Sequence, residues 1–233
     1  MAKPKISLIV AAGGLSKRFF SDTKKQFVLL DGIPLINHCL NRFHSIDFID
    51  EIIVAAPKDE LKNTKMLIKK YGYNKVTHVT QGGKERRDSV YNGFKKLQAD
   101  TDIVIIHDAA RPLVTENIIK KTVQSCIKHG ASISAVPIGD TVKKIKSSRL
   151  IDKTIAREKL WRAQTPQVFR YDILKIVYNN NKSNKISVTD ESQLAEQNGF
   201  KVKITRGSEF NIKITTAVDL QYAEFLIQNG LVK

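Results

Sequence analysis

Residues 11–26 read Ala-Ala-Gly-Gly-Leu-Ser-Lys-Arg-Phe-Phe-Ser-Asp-Thr-Lys-Lys-Gln. Ala11, Ala12 and Gly13 are small enough to let backbone N–H groups approach a phosphate, so the loop can act as an anion cradle. Arg18, Lys24, Lys25 and Gln26 follow closely, a density of cations suited to a triphosphate. A glycine pair alone also fits an ordinary turn, and basic residues alone fit a solvated loop. Neither the Walker lysine motif nor the Gly-x-Gly-x-x-Gly dinucleotide fingerprint is present. The second chemical segment is His107-Asp108-Ala109-Ala110-Arg111-Pro112, directly after an apolar run at 103–106. A carboxylate there suits Mg²⁺, which takes one or two carboxylates and completes its shell with phosphate oxygens and water. Arg111 can pair with Asp108 or orient it. The competing reading of Asp108 is a cap for the next helix.

Three further segments are hard to explain by packing. Residues 82–90, Gly-Gly-Lys-Glu-Arg-Arg-Asp-Ser-Val, read as a turn into a helix whose N-terminal amides suit a nucleotide. Trp161-Arg162-Ala163-Gln164-Thr165-Pro166-Gln167 reads as a polar, rigid loop around the only tryptophan. Asn211-Ile212-Lys213-Ile214-Thr215 puts a lysine inside a strand-like run. The five histidines have neither metal nor triad spacing, and His107 is assigned a structural place beside Asp108.

Positioning these segments requires an alternating scaffold. Apolar runs at 8–12, 52–56, 76–79, 103–107 and 132–136 are mostly continuous and rich in Val and Ile, the pattern of strands covered on both faces. Helical stripes lie between them. Leu35, Cys39, Leu40 and Phe43 form one, with Pro34 near its start. Val90, Phe94 and Leu97 form another. Ile118, Ile119, Val123 and Ile127 form a third, with Thr115 as N-cap. The repetition predicts an α/β fold with a doubly wound, mostly parallel sheet, whose ligands bind at the carboxyl ends of strands. Residues 138–157 break the pattern and read as a polar β-hairpin with too little apolar surface to bury itself. With no linker composition and no internal repeat, residues 1–233 are read as a single domain with 138–157 as a projecting arm that needs another surface to pack on, a second subunit being one such surface.

At 233 residues and 42% hydrophobic content, the chain can bury a sizeable core. Cys39 and Cys126 have no metal or redox spacing and read as reduced thiols, which suits a cytoplasmic protein. The run at 6–12 leads straight into the glycine pair, so it reads as a first strand rather than a signal sequence, and nothing later approaches a membrane span. The net charge of +16 fits nucleic acid, small anionic substrates, or drift toward Lys and Asn on solvated faces such as 179–185. No nucleic-acid reading motif accompanies it.

In order and spacing, residues 107–112, 82–90, 160–169 and 211–215 closely resemble the 2-C-methyl-D-erythritol 4-phosphate cytidylyltransferase family. The match runs from Ala11 to beyond Asp219. The resemblance implies a Rossmann-like nucleotidyltransferase, a homodimer with shared active sites, CTP and a sugar-alcohol phosphate as substrates, Mg²⁺, and release of pyrophosphate. It implies that Arg18 and Lys25 stabilise the transition state and that Asp108 holds Mg²⁺. Ala11, Ala12, Gly13, Gly83 and Ser89 would line the nucleotide site, with Asp108 beside them. Thr141, Arg157, Thr165 and Lys213 would serve the methylerythritol phosphate, Thr141 and Arg157 from the arm of the neighbouring subunit. The sequence departs from the family in three places. The first loop is one residue longer around Gly14, Leu15 and Ser16, Lys24 replaces a proline, and Ser192-Gln193 replaces an Ala-Ser pair. The competing readings are a ribitol 5-phosphate cytidylyltransferase, a basic nucleic-acid-binding module and a non-catalytic regulatory nucleotide-binding domain.

Overall fold

The structure is a computed structural model, and it describes residues 3–13, 25–181 and 188–232. The elements, in chain order, are β1 (Ile6–Ala11), β2 (Leu29–Leu30), β3 (Ile33–Pro34), α1 (Leu35–His44), β4 (Glu51–Ala56), α2 (Leu61–Lys70), β5 (Val76–Gln81), α3 (Arg86–Phe94) and β6 (Ile103–Asp108). They continue with α4 (Glu116–His129), β7 (Ala131–Pro137), β8 (Val142–Ile145), β9 (Ile151–Ile155), β10 (Trp161–Arg170), α5 (Tyr171–Asn180), α6 (Glu191–Gln197), β11 (Lys203–Arg206) and α7 (Ala217–Gln228). All five strands expected from the apolar runs are present.

One seven-stranded sheet has the order β11-β7-β10-β6-β1-β4-β5. Every neighbouring pair is parallel except the two made by β10, which runs antiparallel to β6 and β7. Successive side chains on a strand point to opposite faces. Leu8, Val10 and Ile105 therefore pack with Ile36, Leu40 and Ile119 of α1 and α4. Ile9, Val104 and Ile106 pack with Val90, Leu174 and Leu194 of α3, α5 and α6. A sheet covered on both faces needs apolar residues at every position, which is why these strands read as unbroken runs.

From β1 the chain steps outward through β4 to β5, then returns to lay β6 on the other side of β1. That reversal opens a crevice at the carboxyl ends of β1 and β6, where ligands bind in sheets of this kind. Ala11 and Asp108 stand in register across it.

Several expectations need correction. Residues 161–167 are not a loop but the first part of β10, with a register shift between Ala163 and Gln167. Gln164, Thr165 and Gln167 are buried there, and their polar side chains hid a strand whose hydrogen bonds come from neighbours remote in sequence. Residues 211–215 are not a strand; they form an irregular connection held by backbone and side-chain hydrogen bonds. Ile127 lies on the solvent side of α4 at 55% exposure. Leu97 falls beyond the end of α3, although it still packs on that core. Thr115 stands at the N-cap of α4 without a capping hydrogen bond from its hydroxyl. Pro34, expected near the start of α1, is its N-cap. The hairpin at 138–157 is present as β8 and β9, pairing Val142 with Ile155 and Lys144 with Lys153. Ile145, Leu150 and Ile151 on it are exposed.

Candidate active site

The loops after β1 and β5 close one end of the crevice. Ala12 N donates to Ala55 O at 2.9 Å, and Gly82 N donates to Ala56 O at 2.7 Å, so both loops are tethered to the end of β4. They then touch each other. A Cβ on Gly82 would lie 2.9 Å from Gly13 Cα, and one on Gly13 would lie 2.7 Å from Ser89 Oγ. Two backbones this close admit only glycine. The Ser89 hydroxyl accepts from Gly83 N at 3.0 Å and donates to Glu85 O at 3.2 Å. Glu85 N in turn donates to Asp88 Oδ2 at 3.1 Å, which fixes the first turn of α3. Ala11, Ala12, Gly13, Gly83 and Ser89, remote in sequence, are thus gathered on one small-residue ledge.

Asp108, at the end of β6, stands beside that ledge among cations. Arg86 Nε donates to its Oδ1 at 2.7 Å, and Lys213 Nζ reaches its Oδ2 at 2.8 Å. Arg111 Nε is 3.9 Å from Oδ2. Arg86 also bonds through Nη1 to Glu191 Oε2 at 2.5 Å, and Glu191 is fully buried. Burial alone would raise the Asp108 carboxyl, but Arg86 and Lys213 outweigh it and hold the group well below the usual carboxylate range. Burial raises the Glu191 carboxyl against the pull of Arg86. Burial also opposes the charge on Arg86, yet its two carboxylates keep it firmly protonated.

Lys213 is aimed by its backbone neighbours. Ile214 N donates to Ala110 O at 2.8 Å, Arg111 Nη1 donates to Asn211 O at 2.7 Å, and the buried Asn211 amide donates to Thr165 O at 2.9 Å. The main hydrogen bond of Arg111 therefore serves this segment, while its contact with Asp108 is long.

His107 is buried behind Asp108, and donor–acceptor logic assigns its proton. A carbonyl only accepts, so Nε2–H donates to Arg111 O at 3.0 Å. Burial lowers the imidazole pKa to about 4, so Nδ1 is an acceptor and the Thr165 hydroxyl donates to it at 2.9 Å. Asp108 N donates to Thr165 Oγ1 at 3.1 Å. Thr165 thus spends its proton inward and has one lone pair left. In metal-free buffer the unfolded chain gains a proton at His107 near pH 6.5, while the folded chain resists until about pH 4. The His107 contribution to stability should therefore fall as pH drops through that window, by about 3 kcal/mol, while the raised Glu191 carboxyl works in the opposite direction. Asp108, with its depressed pKa, adds its own loss only below the ordinary carboxylate range. His107→Gln can keep both hydrogen bonds and should flatten the dependence between pH 6.5 and 4. Urea melts across that window would show it, and an unchanged slope would reject the assignment.

Arg18, together with Gly14, Leu15, Ser16 and Lys24, lies outside the described residues, and Lys25 is described only through its backbone, which opens a short 3-10 turn at Lys25–Phe27. Thr141 and Arg157 stand exposed on the hairpin, where Arg157 donates to Gly139 O. Among the described residues, no hydrogen bond or ion pair joins either to the Asp108 cluster. Arg86, Glu191 and Asn211 are the site residues that sequence reasoning passed over. Arg86 sits inside the 82–90 segment, which reads in sequence as a helix start with free backbone amides. Ser192 and Gln193 do shape a helix start. Ser192 Oγ donates to Asp190 Oδ1 at 2.8 Å and Gln193 N to the same oxygen at 3.0 Å, beside Glu191.

No group of three or more His, Cys, Asp or Glu that could hold a metal occurs among the described residues. One ionised carboxylate at the carboxyl end of β6 fits a hard cation that brings most of its ligands as phosphate oxygens and water. No described helix is long and apolar enough to cross a membrane.

A family model described as 2-C-methyl-D-erythritol 4-phosphate cytidylyltransferase matches residues 6–229. A protein of that name from Alkaliphilus oremlandii is 41% identical over 225 residues, covering 96% of this chain and 95% of the relative. One from Pelotomaculum thermopropionicum is 40% identical over 225 residues, covering 96% and 94%. The crystal structure of 4-diphosphocytidyl-2C-methyl-D-erythritol synthase from Anaerococcus prevotii superposes with a TM-score of 0.86 at 30% identity, over 97% of this chain and 100% of that one. The 2-C-methyl-D-erythritol 4-phosphate cytidylyltransferase from Francisella tularensis gives 0.80 at 30% identity, over 95% and 99%.

Proposed function

The chain belongs to the 2-C-methyl-D-erythritol 4-phosphate cytidylyltransferase family, and from that membership we propose how its residues divide the work of the reaction. It transfers CMP from CTP to 2-C-methyl-D-erythritol 4-phosphate, giving 4-diphosphocytidyl-2-C-methyl-D-erythritol and pyrophosphate. This is a step of non-mevalonate isoprenoid precursor biosynthesis. The observation that carries the division of labour is the cation cluster on Asp108 beside the Gly13–Gly82–Ser89 ledge.

The acceptor needs no general base. A phosphate monoester has a second pKa of about 6, so at neutral pH its oxygen is already a nucleophile. The protein's task is to bring two polyanions together and to neutralise charge at the α-phosphate. The ledge takes the nucleotide, with the base read by backbone groups near Ala11 and Gly83 and helped by Ser89. Arg18 and Lys25 stabilise the charge that develops at the α-phosphate. Lys213 and Arg157 hold the acceptor phosphate, and Thr165 offers its remaining lone pair to a substrate hydroxyl. Thr141 assists from the arm. Asp108 holds Mg²⁺, which supplies Lewis-acid neutralisation of the triphosphate when bound. Arg111 orients Asp108 and the Lys213 segment. The arms complete each other's sites in a homodimer, and the +16 charge serves polyanionic substrates rather than nucleic acid. Two buried free thiols support a cytoplasmic setting.

Pyrophosphate release tests this reading. Methylerythritol phosphate with CTP should turn over well above ribitol 5-phosphate with CTP, and UTP should be poor. Cytosine presents an amino donor where uracil presents a carbonyl, and a buried backbone C=O facing that carbonyl costs about 1–3 kcal/mol. Asp108→Asn should raise the Mg²⁺ concentration needed for half-maximal rate. An unchanged Mg²⁺ titration would remove Asp108 from the metal site, and comparable UTP turnover would remove the base-reading account.

A further inference from the structure

We infer that Lys213 and the divalent cation occupy Asp108 in turn, so that metal binding releases Lys213 to the acceptor phosphate. The inference rests on the reading of Asp108 as the metal's carboxylate, and it concerns which partner gives way.

The two strong partners of Asp108 differ in freedom. Arg86 is held at both ends, by Asp108 Oδ1 at 2.7 Å and by the fully buried Glu191 at 2.5 Å, and its side chain is 21% exposed. Moving it would strand two buried carboxylates at once. Lys213 holds Oδ2 at 2.8 Å through a single ammonium, has no second partner among the described residues, and its side chain is 40% exposed. Its backbone is pinned through Ile214 N to Ala110 O and through the Asn211 amide, so the flexible stem can swing while its root stays fixed. A cation arriving at Asp108 therefore meets one oxygen with a fixed partner and one with a movable partner. Oδ2 is the atom exchanged.

Before the cation arrives, Lys213 is neutralised by Asp108 and is a poor partner for a phosphate. Once Oδ2 is taken, its charge is free at the same place. Metal and acceptor phosphate then favour each other's binding, and linkage requires the coupling to be reciprocal. The device disfavours acceptor binding ahead of the metal-loaded nucleotide.

Calorimetry with α,β-methylene CTP, which cannot transfer CMP, gives a test without turnover. In the wild type, Mg²⁺ in place of EDTA should tighten binding of 2-C-methyl-D-erythritol 4-phosphate to the analogue complex, by roughly fivefold or more. In Lys213→Met that tightening should vanish, while the Mg²⁺-dependent gain in affinity for the analogue itself should exceed the wild-type gain. Lys213→Gln should behave the same way. Arg162→Met removes a neighbouring cation that pairs with Glu209 instead of Asp108, and should leave the analogue's gain near wild type. If Lys213→Met keeps the tightening, or if Arg162→Met raises the gain equally, the exchange is wrong. Asp108→Asn separates the two levels. A retained Mg²⁺ gain there overturns Asp108 as ligand. A lost gain there, with a wild-type gain in Lys213→Met, overturns only the exchange.

Discussion

Mixing Lys25→Ala and Arg157→Ala subunits is expected to restore roughly a quarter of wild-type activity from two nearly inactive proteins. The expectation begins with the hairpin. Its two strands pair only with each other, and Ile145, Leu150 and Ile151 remain exposed along it. An isolated two-stranded hairpin is marginal in water, so this one needs a surface to lie on. Arg157 stands at its base, exposed, and none of its contacts ties it to the Asp108 cluster of its own chain. If the arm completes the neighbour's site, Arg157→Ala damages a site through the arm and Lys25→Ala damages one through the core. Loss of Lys25, a preorganised cation at developing charge, lowers turnover by roughly 10²–10³, and loss of Arg157 removes a clamp on the acceptor phosphate, so each homodimer is nearly inactive. A mixed dimer keeps one intact core facing one intact arm. Random exchange of equal amounts makes about half the dimers mixed, each with one whole site of two, hence about a quarter. Co-refolding followed by pyrophosphate assay measures it. No gain over the separate proteins, with exchange verified by mass, would mean that the arm does not complete its neighbour's site. Lys24→Ala is the register control; if it is inactive while Lys25→Ala is normal, the cation beside the α-phosphate is Lys24.

The second large effect is on stability. Arg86→Met should destabilise the fold by about 3–5 kcal/mol, because removing one partner of a buried ion pair leaves uncompensated charge. Two carboxylates are affected: Glu191, with no exposed surface, and Asp108, at 5% exposure. Asp108 retains Lys213, whereas Glu191 has no other cation among its described partners. Most of the loss should therefore trace to Glu191. Adding Glu191→Gln to Arg86→Met should recover at least about 1 kcal/mol, a coupling of the size found between directly contacting residues. Urea unfolding of the two single variants and the double variant closes the cycle. Additive losses would show that Arg86 does not neutralise Glu191. A loss below about 1 kcal/mol in Arg86→Met would show that water reaches the cluster and screens it.

Which parts of this protein are legible in its sequence follows from the range of the forces involved. The apolar runs at β1, β4 and β6 announce strands covered on both faces, because burial of successive side chains is a property of a few adjacent residues. The glycines at 13 and 82–83 and the carboxylate at 108 then fall at strand ends, where a doubly wound sheet must place its ligands. The polar strand β10 was not legible, since Gln164, Thr165 and Gln167 look like loop residues until β6 and β7 supply their partners. Nor was the central device of the site. Arg86 meets Asp108 across 22 residues of chain and Glu191 across 105. Asp108 by itself reads as a metal ligand with a helix cap as the competing reading. Only the return of β6 to the side of β1, and the pinning of 211–215 against Ala110 and Thr165, bring Arg86 and Lys213 onto its two oxygens. Electrostatic pairing of this kind acts over a few ångströms in space and leaves no periodic trace along the chain. The sequence therefore determines the scaffold and the candidate atoms, and the tertiary structure decides which charges meet.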